Sequence, residues 1–99
     1  MSAVMDMRWV GVTLGQYEAV RELLNWDEEP PEGLLLHVAW SEDGALRVTD
    51  VWDSETSWET FLAVRLGPAT AKAGLTGQPD ARISPMHRRY VAPGATTSA

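Results

Sequence analysis

An Asp43-Gly44 pair sits between two apolar runs, Leu34–Ser41 and Ala45–Asp53, and commits the middle of the chain to an antiparallel hairpin. Gly takes positive φ without strain, and Asp-Gly between apolar runs is among the strongest short-range hairpin signals. A two-residue turn there pairs residues whose numbers sum to 87, and a four-residue loop Ser41–Gly44 gives 85. Either register places Leu35, His37, Ala39, Leu46, Val48, Asp50 and Trp52 on one face, with Leu34, Leu36, Val38, Thr49 and Val51 on the other. A three-residue loop with a Gly bulge would separate His37 from Asp50. The first grouping is favoured, with the second set turned toward helices and the mixed polar set left for a cavity.

The elements around the hairpin follow from local signals. Met5–Val12 is short, apolar and β-branched at its end, and reads as a first strand. Thr13 and Gln16 have capping-box spacing, so a helix begins there. Leu14, Tyr17, Val20, Leu23 and Leu24 then recur at helical spacing, with Glu18, Arg21 and Glu22 on the other face. Asp27–Gly33, with two prolines and three glutamates, cannot continue it and forms a solvated loop. Asp53 or Ser54 caps a second helix carrying Trp58, Phe61, Leu62 and Arg65. Gly67-Pro68 interrupts it, and Pro68 opens a further turn through Ala73. Asp80–Val91 reads as a last strand in which Pro85 marks an edge or a bulge.

The order β-α-β-β-α-β predicts an α+β, ferredoxin-like fold, a four-stranded antiparallel sheet with both helices on one face. A single domain over 5–91 and a flexible tail over 92–99 result. Because apolar residues stand on both parities of the hairpin, the second sheet face needs a cover, and a second copy of the chain is the simplest one. A homodimer is therefore expected.

Composition limits the partners. Fourteen Asp and Glu against eight Lys and Arg give a net charge of −6, which speaks against nucleic acid and against anionic lipid. No apolar run approaches the roughly 18 residues that span a bilayer. The absence of Cys excludes a thiolate metal site and a cysteine nucleophile, and fits a reducing compartment. With no secretory signal in Met1–Asp6, a cytoplasmic location is expected. Two His fifty residues apart make no metal set, and no Gly-rich phosphate cradle is present. Neither a metal nor another cofactor is expected.

The join Val51-Trp52-Asp53-Ser54-Glu55, with Trp58 and Phe61 beyond it, and the stretch Pro68 to Leu75 resemble the antibiotic biosynthesis monooxygenase-like proteins of the dimeric α+β barrel superfamily. The likeness spans roughly Met7 to Val91, mainly as element order. It implies two sheets facing each other, a pocket, and in some members oxygenation without a cofactor. It also implies that Trp52 faces the pocket and stacks on a flat substrate. The haem-degrading branch is disfavoured, because Phe61 to Ala73 contains no His to act as axial ligand.

His37 beside Asp50 is the candidate catalytic pair. The carboxylate would fix the ring tautomer and stabilise the imidazolium formed when His37 takes a proton from a phenol or an activated carbon. The same pair also reads as two polar groups satisfying each other inside a sheet. Trp52, Leu35, Val48 and Tyr90 are the candidate ligand-binding residues, for a hydrophobic small molecule of aromatic or polyketide-like character. Core packing is the other reading of Trp52, and simple strand packing of Tyr90. His87, among Arg88 and Arg89, reads as a solvated strand residue. The alternative for the whole protein is a non-catalytic structural or interaction dimer whose inner sheet face is filled by its own side chains.

Overall fold

The computed structural model describes residues 1–95. The chain runs β1 (Ala3–Val10), α1 (Leu14–Leu24), β2 (Leu34–Glu42), β3 (Ala45–Trp52), α2 (Glu55–Phe61), a π-helical turn (Leu62–Leu66), α3 (Gly67–Lys72) and β4 (Asp80–Pro85). The four strands form one antiparallel sheet in the order β2-β3-β1-β4. This is the ferredoxin-like βαββαβ arrangement expected from the sequence. The part of the proposed tail at 96–99 lies outside the described residues.

The hairpin forms in the two-residue register. Glu42 pairs with Ala45 and His37 with Asp50. Asp43 at φ 51° and Gly44 at φ 73° supply the two positive values that a tight turn matched to strand twist requires. An irregularity between Leu34 and Leu36 removes Leu35 from the ladder. At the start of α1, Thr13 accepts from the Gln16 amide while the Gln16 side chain accepts from the Thr13 amide, the reciprocal cap predicted.

Three expectations change. First, the parity grouping of the hairpin holds from Leu36 onward, with Leu34 instead opposite Trp52 and Leu35 out of the ladder, and its orientation is reversed: His37, Leu46, Val48, Asp50 and Trp52 face the helices, whereas Leu36 and Val38 lie on the open face. The cause is β1. Met5, Met7 and Trp9 are buried and stand directly opposite Asp50, Val48 and Leu46, while Asp6 and Arg8 stand opposite Thr49 and Arg47. Directly opposed residues share a face. The alternation Met-Asp-Met-Arg-Trp therefore sends its charges outward and carries the inward parity of β3 to the helix side.

Second, Gly67-Pro68 does not break the second helix. The Gly67 amide donates to the Leu62 carbonyl five residues back, so α2, the π turn and α3 follow one another without a gap. In an α-helix the Pro68 ring would collide with the carbonyl four residues before it, and the wider turn makes room. Third, β4 ends at Pro85 on a sheet edge rather than running to Val91.

The core lies between sheet and helices, where Met5, Met7, Trp9, Leu46, Val48 and Trp52 meet Val20, Leu24, Trp58 and Phe61. Gly33 lets the acidic loop close onto α2. At φ 87° its position would put a Cβ 2.6 Å from Ser57 and Asp53, and its carbonyl accepts from the Asp53 amide at 2.8 Å. This contact fixes where β2 begins.

Candidate functional site

His37 projects from β2 toward α1, and the register places Asp50 directly beside it on β3. The His37 Nδ1–H donates to Asp50 Oδ1 at 2.6 Å, and Trp52 Nε1–H donates to Asp50 Oδ2 at 3.2 Å. A carboxylate only accepts, so the proton of neutral His37 sits on Nδ1 and leaves Nε2 as an acceptor. The Tyr17 hydroxyl, reaching down from α1, donates to that Nε2 at 2.6 Å. Asp50 is 4% exposed and the His37 side chain 17% exposed, so the chain of hydrogen bonds sits at low dielectric, where each bond is strengthened.

Aromatic rings enclose the imidazole. Tyr17 lies parallel to it at 5.9 Å and Trp26 meets it edge-on at 4.6 Å. Trp26 follows the left-handed cap Asn25 at φ 53°, and the Arg21 guanidinium covers its ring at 5.6 Å. Arg65, within the π turn, donates to the carbonyls of Leu24 and Glu29 at 2.7 and 2.8 Å. The end of α1, the acidic loop and the second helical stretch are thereby held together around the imidazole.

These groups open onto an apolar cavity of about 60 Å³ between sheet and helices, lined among others by Tyr17, Trp26, His37, Val48, Asp50 and Phe61. The structure thus brings His37, Asp50 and Val48 together at one wall. Trp52 stands behind Asp50 with no exposed surface, packed against Trp58 at 5.8 Å and Phe61 at 5.3 Å. Leu35, at 47% exposed, and Tyr90, at 75% exposed, lie away from the cavity. The irregularity in β2 accounts for Leu35, and the ending of β4 at Pro85 accounts for Tyr90. His87 is exposed and apart from the site.

Sequence reasoning passed over Tyr17 and Trp26. Tyr17 was one member of the apolar stripe of α1, and its hydroxyl was the signal: a polar tip on a buried stripe needs a partner. Trp26 had no periodic context, coming just past the helix end. Among the described residues no three His, Asp or Glu side chains are grouped to hold a metal ion. No helix among them is long and apolar enough to cross a membrane.

Burial pushes the Tyr17 phenol above its ordinary value of 10.0, against the opposing pull of Arg21, with Glu18 and Asp50 adding to the rise. The sign for stability follows from proton counting. Above about pH 10 the unfolded chain gives up this proton before the folded chain does. The contribution is therefore complete below the unfolded value and lost as pH rises through the folded one. Urea midpoints taken from about pH 9 to 11 should fall more steeply in the wild type than in Tyr17→Phe, and parallel curves would contradict this.

No family model matches the sequence, and no curated protein matches it. Solved structures do. A protein of unknown function from Nitrosomonas europaea superposes with a TM-score of 0.65 at 15% identity, over 94% of this chain and 96% of that one. SnoaB, a cofactor-independent oxygenase from Streptomyces nogalater, gives 0.61 at 14% identity over 93% and 96%. A monooxygenase from Streptomyces coelicolor, solved in complex with the ligand nanaomycin D, gives 0.58 at 18% identity over 94% and 92%. The chain shares the fold of the antibiotic biosynthesis monooxygenases. The resemblance read from its sequence is matched at that level.

Proposed function

We propose that this protein binds a flat, hydrophobic aromatic or polyketide-like molecule between its sheet and its helices and removes a proton from it, as the opening step of oxygenation without a cofactor. The carrying observation is the hydrogen-bonded series Tyr17, His37, Asp50 at the wall of an apolar cavity. A phenol ionised there carries charge onto the ring carbon para to it, and that C–H carbon reacts with dioxygen, one oxygen atom becoming the quinone carbonyl and the other leaving as water. The shared fold with a cofactor-independent oxygenase supports this reading.

The protein acts as a cytoplasmic homodimer in this proposal. The open face of the sheet exposes Leu36, Val38 and Val10 by 53, 47 and 63%, and a second copy covers it. Light scattering at micromolar concentration should report twice the 10.9 kDa of one chain, and a mass of 10.9 kDa would refute the dimer.

One observation favours the second reading, a non-catalytic dimer with a filled interior. The cavity of about 60 Å³ is smaller than the ~150 Å³ that admits a benzene. A ligand must therefore part the wall, and Trp26, beside the loop, is the side chain placed to move. Tryptophan fluorescence titrated with hydroxyanthraquinones separates the readings, since Trp9, Trp26, Trp52 and Trp58 lie in or against the core. A saturable quench is expected. No saturable quench across quinones, phenols and polyketide-like aromatics would decide for the filled dimer.

A further inference from the structure

We propose that Tyr17, rather than His37, meets the substrate, and that it selects ligands bearing a phenolic O–H and passes their proton to His37. The inference rests on the proposed binding function and specifies its chemistry. Neither imidazole nitrogen is free: Nδ1 is engaged by Asp50 and Nε2 by the Tyr17 hydroxyl, both at 2.6 Å. Trp26 and Tyr17 cover the ring itself. Both residues line the cavity, but a substrate proton therefore reaches a nitrogen of His37 by way of the Tyr17 hydroxyl.

The Tyr17 hydroxyl has one hydrogen, and Nε2 takes it. The lone pairs left on that oxygen can only accept, so a ligand that parts the apolar wall beside Tyr17 meets an acceptor, and one that carries acceptors alone gains nothing from it. In the transfer the substrate O–H bond breaks as its proton binds Tyr17 Oη. The Tyr17 O–H bond breaks as that proton binds His37 Nε2. The products are a phenolate, a neutral tyrosine and an imidazolium facing Asp50, with no electron transferred and no other reactant needed. The two hydrogen bonds along the path survive with their direction reversed, the imidazolium donating to Tyr17 and Tyr17 to the phenolate, while the His37 Nδ1–H bond to Asp50 is unchanged. Burial raises the proton affinity of Tyr17, which disfavours a standing tyrosinate and suits a group that takes one proton as it gives up another. Tyr17 is thus the catalytic residue, His37 the final proton acceptor and Asp50 a positioning residue.

Alizarin, a dihydroxyanthraquinone whose visible absorbance changes when its phenol ionises, is a suitable probe, with its dimethyl ether as control. Bound to the wild type, its apparent pKa should fall by about 1–3 units as the phenolate pairs with the buried cation. Tyr17→Phe and His37→Gln should each abolish that shift. In Tyr17→Phe the fluorescence quench should persist, with Kd raised by no more than about tenfold. An undiminished shift in Tyr17→Phe would overturn the inference and leave the proposed function standing, as would saturable binding with no shift in the wild type. Absence of saturable binding to the wild type would remove the proposed function and the inference together. Should Tyr17→Phe fail to fold, the ether decides: the wild type should bind alizarin about tenfold more tightly than the ether, and equal affinities would overturn the proposal.

Discussion

Trp52→Ala is expected to unfold the chain rather than empty a binding site. The resemblance implied a pocket-facing ring, but the indole has no exposed surface and is wedged between Trp58 and Phe61. Truncating a buried Trp to Ala costs about 3–5 kcal/mol through lost burial and the cavity left behind. It also removes the Nε1–H that satisfies Asp50 Oδ2, and an unsatisfied buried acceptor adds about 1–3 kcal/mol. A small domain has only about 5–15 kcal/mol in total. Urea unfolding should therefore show little or no folded population in Trp52→Ala. Trp52→Phe keeps most of the packing and should fold with a lowered midpoint. A Trp52→Ala midpoint close to the wild type would mean that the indole is not a core residue.

His37→Ala should lower turnover of a hydroxylated anthrone, followed as oxygen uptake, by about 10²–10⁴-fold, the range typical of losing a positioned acid–base group. Binding should change far less, by no more than about tenfold, because apolar burial and not the proton transfer supplies most of the affinity. Asp50→Ala should affect architecture as well as chemistry. Asp50 accepts from both His37 and Trp52, so its removal leaves two buried donors unpaired at about 1–3 kcal/mol each. Both variants should lose stability as well as turnover, His37→Ala through the buried Asp50 Oδ1 and the Tyr17 hydroxyl left without their partner, and oxygen uptake per folded molecule measures the chemical loss alone. If His37→Ala lowers the unfolding midpoint and leaves oxygen uptake unchanged, the pair is a sheet-interior hydrogen bond and nothing more.

Features that rest on neighbours in the chain are legible locally. Asp43-Gly44 marked the hairpin turn but allowed loops of two, three or four residues; the two positive φ values selected the two-residue register, and with it the opposition of His37 and Asp50. Thr13 and Gln16 set the start of α1, because both capping bonds close within four residues. Which face of the hairpin meets the helices was decided only in the tertiary structure. The hairpin is apolar on both parities, and the choice fell to the register of β1, about forty residues earlier in the chain, whose Asp6 and Arg8 turn to the open face. The same long-range packing brought Tyr17, twenty residues from His37, onto the imidazole and placed Trp52 behind Asp50. Local sequence fixes short loops and backbone dihedrals. The site depends on which buried surfaces two distant elements present to each other, and that is settled when they pack.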